Sequence, residues 1–307
     1  MSAALAGEDI EQFRPLLPVG YDATAAAYRA ATNDLTASDL TCHYTDGLRF
    51  FHDDFVPHLK RRLRELSGGA WDLSEFAAYA AGSDVDLMSH ILEATGLEKP
   101  IAIYPGDWFG FRAGLSDPER ARFTPQSRGH LACLCVPSVR NGHLTAPMLE
   151  FLAEADTCLL NINLYPTLAD DERRDCAMAL APLLRKSILS ISFSRGFALT
   201  ASQLGVILVH RDHPMRARLE PQWNWFTYFF NGIAARAFLR LDVSALQAVD
   251  SRRREWVHDW LAVRGLPVVP SGSYYVKSFQ IEGQVPEPLA PLARDGLLRL
   301  CFKPTLT

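Results

Sequence analysis

The sequence predicts an α/β fold: a mostly parallel sheet layered with helices, followed by a small α+β unit. Three observations lead there. Between residues 100 and 210, short apolar runs alternate with stretches of helical period. After Pro214 and Pro221 this alternation gives way to two long helical stretches and then short strands. The 307 residues are 48% hydrophobic, which can bury the core of one large domain, or of a large one with a small companion.

The elements follow in order. Alanine-rich stretches such as 23–31 read as helix within 8–40. Residues 47–66 read as an amphipathic helix, with Leu48, Phe51, Phe55, Leu59 and Leu63 at helical spacing. Lys60-Arg61-Arg62 sit near its end, where the helix dipole favours cations, and Gly68-Gly69 stop it. A second helix is expected over 82–95, capped by Ser83 and Asp84. Strands are expected at 100–104, 130–136, 157–164, 187–193 and Gly205–His210, with helices at Ala146–Glu154 and 170–184. The last third reads as helices 224–239 and 243–264, then strands 267–270, 274–281 and 297–302, with a proline-marked loop at 286–291.

Composition excludes several function classes. Basic and acidic residues nearly balance at 31 and 35, so no nucleic-acid surface or charged tail is expected. No apolar run reaches membrane-spanning length, and the first residues lack the basic flank of a signal peptide, so a cytoplasmic protein is expected. Six cysteines occur without a C-x-x-C pair, which points to free thiols in a reducing compartment. Phe51-His52-Asp53-Asp54 with His58 has metal-like letters but no metal spacing, and His210-Arg211-Asp212-His213 reads as a loop. No P-loop, G-x-G-x-x-G or nucleophile elbow is present, and no metal is expected.

The most informative run is Ile191-Ser192-Phe193-Ser194-Arg195-Gly196-Phe197-Ala198-Leu199-Thr200-Ala201-Ser202-Gln203-Leu204-Gly205. It resembles the cofactor-lysine segment of fold-type I aminotransferases, which bind pyridoxal phosphate (PLP): S-x-S-K-x-(F/Y)-(G/A)-L-x-G-x-R-x-G. Arg195 stands at the lysine and Gln203 at the phosphate arginine, while Ser192 and Ser194 persist. A guanidinium cannot lose its proton and attack an aldehyde as an amine does. Only five lysines occur, Lys60, Lys99, Lys186, Lys277 and Lys303, which leaves few substitutes.

The resemblance extends from about Leu16 to Phe302 and is nearest to histidinol-phosphate aminotransferases. It implies a three-layer α/β/α fold with a seven-stranded mixed sheet. It divides the chain into an arm with helices (1–40), a large domain (41–215) and a small C-terminal domain (216–307). Tyr44 matches a tyrosine lent across a dimer to the neighbour's cofactor phosphate, which implies a homodimer. Ser83 falls in the phosphate-binding turn at a helix start. Trp108, within Pro105-Gly106-Asp107-Trp108, matches the aromatic that stacks on the cofactor ring. Val139 replaces an asparagine that bonds the ring hydroxyl, and Tyr165 matches the tyrosine bonding the same group. The ring-nitrogen aspartate falls on Ile162, or on Asn161 or Asn163 with a one-residue slip, and none is a carboxylate. Arg299 matches the arginine that clamps the substrate α-carboxylate.

Four cofactor contacts thus change together. The expectation is a PLP-independent protein that acts on or binds an amino acid or amino-acid-derived carboxylate. Arg195 would be its electrostatic stabiliser, with Tyr165 or Asp107 as acid or base and Arg299 as clamp. No covalent cofactor is expected, with non-covalent PLP as the lesser alternative. The competing expectations are a non-catalytic ligand sensor and a partner subunit completing the site of an active paralogue. An intact aminotransferase comes last.

Overall fold

A computed structural model describes residues 21–41, 44–82, 91–92, 100–199, 202–225, 231–266, 271–280, 287–294 and 296–302. Helix α1 (Asp22–Asn33) buries Ala27 and Ala31, and α2 (Ala37–Thr41) follows. The expected helix over 47–66 is a composite. Helix α3 (Tyr44–Arg49) runs into a π-helical turn, Phe50–Phe55, and then into α4 (Val56–Leu66). The wide turn precedes Pro57, which has no N–H to give and would crowd the carbonyl one turn back. Gly68 and Gly69, at φ 62° and 87°, end α4 as expected.

Strand β1 (Phe76–Ala81), absent from the sequence expectations, lies at one edge of the main sheet. Its alanines carry little strand propensity, and pairing with a distant strand selects the extended form. Next come β2 (Ile101–Ile103), the short α5 (Gly110–Ala113), β3 (Ala121–Phe123) and β4 (Leu131–Cys135). Helix α6 (Ala146–Glu154), β5 (Thr157–Asn161) and α7 (Asp170–Leu180) follow. Beyond α7 the chain tightens into a 3₁₀ turn at Ala181–Lys186, which contains Pro182. Strands β6 (Ser187–Ser192) and β7 (Gly205–His210) complete a seven-stranded sheet in the order β1-β7-β6-β5-β4-β2-β3. The pairs β2–β3, β2–β4, β4–β5 and β5–β6 are parallel, and β7 runs antiparallel to both its neighbours.

Each sheet face has its own core. Leu134, Leu160, Leu189 and Leu208 face helices α4, α6 and α7, whereas Cys133, Leu159, Ile188 and Ile207 share the opposite face with Phe111 of α5. Continuous burial along β4 and β7 explains their apolar sequences, and β6 is equally buried although it carries Ser187, Ser190 and Ser192.

The expected helix 224–239 is also corrected. Helix α8 (Arg216–Trp225) passes through Pro221, and α9 (Gly232–Leu239) begins separately, because the Asn231 side chain accepts the Ala234 N–H and caps it. Helix α10 (Val243–Val263) starts at Asp242, whose carboxylate takes the Ala245 N–H. The small unit then forms an antiparallel sheet of β8 (Val276–Gln280), β9 (Ala293–Arg294) and β10 (Leu297–Cys301), in the order β8-β10-β9. Phe279, Leu298 and Leu300 pack there against Val257 and Leu261 of α10. The expected helix over 82–95 and strand 267–270 fall mostly or wholly outside the described residues. Among the described residues, no helix is long and apolar enough to cross a membrane.

Candidate functional site

The sheet topology marks one place for a ligand. After β2 the chain crosses on the face that holds Phe111, whereas after β4 it crosses on the face that buries Met148, Phe151 and Leu152. The loops leaving β2 and β4 therefore part at the carboxyl ends of these neighbours. In open α/β sheets that crevice is where ligands bind.

Here the crevice is laced shut by the chain itself. Asp107 is buried, and its Oδ2 accepts the Cys135 N–H at 2.8 Å. Its Oδ1 accepts the N–H groups of Trp108 at 2.8 Å and Val139 at 3.2 Å. Burial pushes its pKa up to about 6, against the lowering effect of those three hydrogen bonds. The Arg299 side chain, from β10, donates through Nη1 to the carbonyls of Val139 at 3.1 Å and Gly106 at 3.5 Å. Arg140 donates to Pro105 O at 2.7 Å, and the Ser278 hydroxyl donates to Arg140 O. Loop, loop and small sheet are thereby stitched at one point.

A second polar group lies at the ends of β5 and β6. Asn161 Oδ1 accepts the Asn163 N–H at 3.0 Å, and Asn163 Oδ1 accepts the Ser192 N–H at 2.6 Å. The Ser192 and Ser194 hydroxyls lie 3.0 Å apart. Strand β5 ends at Asn161, so Asn163 belongs to the following turn, while Ile162 is packed in the core of the helical face. Opposite Asn161 in the β5–β6 register is Ser190, fully buried, its hydroxyl without a hydrogen-bond partner among the described residues. Nothing in the sequence distinguished it from any other strand serine.

The segment after β6 is held from below. Phe193 and Phe197 stack at 5.5 Å, and both meet the Phe238 ring edge-on, at 4.8 and 4.9 Å. Gly196 donates its N–H to Asn163 O at 2.9 Å. A Cβ at Gly196 would come within 2.6 Å of that oxygen and of the Pro166 ring, so only glycine fits. Between these anchors Ser194 and Arg195 are half-buried. Among the described residues the Arg195 guanidinium has no hydrogen-bond or ion-pair partner. Ala198 and Gln203 bracket the turn at φ 52° and 45°, and Gln203 is exposed.

The remaining expected residues are placed as follows. The Tyr165 hydroxyl donates to Arg173 O at 3.0 Å, its ring stacks on Trp71 at 4.6 Å, and burial pushes its pKa far upward. It is part of the helical-face core. The Trp108 indole folds back over Gly110 and meets Phe111 edge-on at 5.3 Å. Ser83 and the side chain of Tyr44 lie outside the described residues. Among the described residues, no group of three metal-binding side chains occurs.

No family model matches the sequence, and no curated protein matches it. Solved structures do match the fold, which is that of the fold-type I PLP-dependent aminotransferases. An L,L-diaminopimelate aminotransferase from Chlamydomonas reinhardtii is 13% identical with a TM-score of 0.70, over 96% of this chain and 85% of that one. An aminotransferase from Staphylococcus aureus is 12% identical with a TM-score of 0.67, over 94% and 88%. A PLP-bound C–S lyase from Staphylococcus hominis is 10% identical with a TM-score of 0.65, over 96% and 85%. The neighbours thus include PLP-bound enzymes, and at these identities the likeness concerns architecture.

Proposed function

We propose that this chain binds an amino acid or amino-acid-derived carboxylate at the carboxyl ends of β4, β5 and β6, without holding PLP covalently. The observation that carries the reading is Arg195. It occupies the position that the resemblance assigns to the Schiff-base lysine, half-buried and with no described partner. A guanidinium in that setting attracts an anion and offers two parallel N–H donors to a carboxylate.

The residues around it fit PLP poorly. Arg195 supplies no amine that can lose its proton. At the end of β5 the groups nearest the ring-nitrogen position are the amides of Asn161 and Asn163, whose oxygens are already engaged by backbone N–H groups. Gln203, at the phosphate-arginine position, is a neutral and exposed amide. No step is therefore derived through PLP.

A specific observation favours binding over catalysis. Both acid–base candidates, Asp107 and Tyr165, are buried with their polar atoms committed to backbone groups. Within this reading Arg195 is the carboxylate contact, the expected clamp Arg299 instead ties the loops through the Val139 and Gly106 carbonyls, and Tyr44 contributes across a homodimer, which light scattering would check.

The direct test is incubation with PLP, borohydride reduction and mass spectrometry. No lysine adduct is expected, and a PLP adduct on any lysine would overturn the proposal. Arg195→Lys alone should restore little PLP chemistry, because the ring-nitrogen carboxylate and phosphate arginine are still missing. Calorimetry against a panel of amino acids and 2-oxo acids should find a carboxylate ligand.

A further inference from the structure

Strand β1 is an edge of the main sheet, and among the described residues it pairs with β7 alone. Glu75 O accepts the Arg211 N–H, so Glu75, Ala77 and Tyr79 turn their main-chain groups toward β7, whereas Phe76, Ala78 and Ala80 turn theirs outward. Two contacts agree with this register: the Phe76 N–H bonds back to Leu73 O, and Phe76 O accepts the Lys60 ammonium. Ala78 and Ala80 are only 7% and 4% exposed, yet their outward N–H and C=O groups have no described partner. Buried main-chain groups are seldom left unpaired.

These groups front open space. A cavity of about 400 Å³ runs along the edge, and every residue from Phe76 to Ala80 lines it. A cavity on one sheet face would meet alternate residues only. One wall, on the side of the Phe76, Ala78 and Ala80 side chains, is apolar and includes Phe51 and Val56. Phe51 belongs to the π-helical turn, a feature that recurs at functional sites. Lys60 stands at the Phe76 end of this wall, and no carboxylate pairs with it among the described residues. The other wall, on the Tyr79 side, is polar: Arg216 and Glu220 of α8, paired at 2.8 Å.

We propose that this edge receives an extended segment of a partner protein, which adds an antiparallel strand beside β1. Strand addition draws affinity from main-chain hydrogen bonds and specificity from alternate side chains. Residues opposite Ala78 and Ala80 pair through both main-chain groups and turn their side chains to the wall of Phe51 and Val56, so they are apolar. The residues between them face Arg216 and Glu220 and are polar. A carboxylate opposite Phe76 meets Lys60. A second copy of the chain does not fit, because its own β1 lies equally deep between the same two walls. This surface serves recruitment and does not rest on the ligand proposed at Arg195.

The probe is the peptide acetyl-Thr-Val-Thr-Val-Thr-Glu-amide, titrated into the full chain by calorimetry and followed by residue-resolved amide hydrogen exchange. Saturable binding is expected, with exchange slowed at Ala78 and Ala80 and unchanged on β3, the opposite edge of the sheet. N-methylation of both valines should abolish binding, whereas N-methylation of the threonines, whose N–H groups point away from β1, should weaken it far less. Replacing the glutamate by glutamine should weaken binding about 3-fold, as for a partly exposed ion pair. Ala78→Pro removes an N–H that faces away from β7, so the sheet should persist while binding is lost. Should that variant fold poorly, the N-methylated peptides still decide. Absence of saturable binding, equal binding by the valine-methylated peptide, or protection of β3 instead of β1 would each overturn the proposal. So would a peptide that halves the particle mass in light scattering, since a second copy would then be the natural occupant.

Discussion

Arg299 and Arg195 stand at the same end of the large sheet, yet the fold surrounds them differently. Arg299 donates to the carbonyls of Val139 and Gly106, beside a buried Asp107 that accepts three backbone N–H groups. There donors and acceptors meet inside the chain. Arg195 rises from an equally well-packed base of Phe193, Phe197 and Phe238, but its charge is answered by nothing described. The contrast separates two uses of polar residues. A saturated knot holds parts of one chain together, whereas a fixed and unanswered charge has binding capacity to spare.

The largest expected effect breaks the knot. Asp107→Ala strands three N–H groups, two of them in segments 28 and 32 residues away. It should cost about 3–5 kcal/mol of stability, the sum of several unsatisfied buried donors. Urea denaturation measures this, and a loss below about 1 kcal/mol would mean that the knot is ornamental.

Next comes pH. The Asp107 pKa is about 6 in the fold against an ordinary 3.8, so the proton is held more tightly folded than unfolded. Its protonation therefore favours the fold, and the gain builds as pH falls from above 6 toward 4. Relative to Asp107→Asn, the natural chain should gain on the order of 2 kcal/mol over that window. The comparison with the variant matters because half-buried His58, held down to about 4, acts in the opposite direction in both proteins. Parallel pH profiles would count against a raised Asp107.

Arg195→Ala should behave unlike any change in the knot. Its stability should stay within about 0.5 kcal/mol of the natural chain, as for an unpartnered side chain. Affinity for the best carboxylate of the panel should nevertheless fall about 10-fold, as expected for a lost charge-assisted contact. A variant that unfolds, or binds as before, would erase the distinction between the two arginines. The smallest effect concerns the turn below Arg195. Ala198 sits at φ 52°, a left-handed conformation that costs a non-glycine residue about 1 kcal/mol. Ala198→Gly should raise the melting temperature slightly, and a fall would show that the alanine methyl contributes packing that outweighs the strain.

The sequence made some of this visible and hid the rest for physical reasons. Strands buried on both faces, such as Leu131–Cys135 and Gly205–His210, are unbroken apolar runs and can be read directly. Phe76–Ala81 could not be, because its extended form is imposed by pairing with β7, more than a hundred residues later. Arg195 was legible because its motif is contiguous. The role of Asp107 was not, since its partners are backbone N–H groups brought together only by folding. Tyr165 and Trp108 kept their places in the motif, but their side chains turned to local packing against Trp71 and Phe111.

The aromatic base under Arg195 has a consequence for anyone who wishes to rebuild this protein. Phe193, Phe197, Phe238 and Gly196 fix the path of the main chain without help from the side chain at position 195. That position is a socket whose insert can be exchanged while the mount stays rigid. Carboxylate, imidazole, thiol or amine could each be installed there at little cost in stability, so a library at this one residue explores reactivity on an unchanged scaffold.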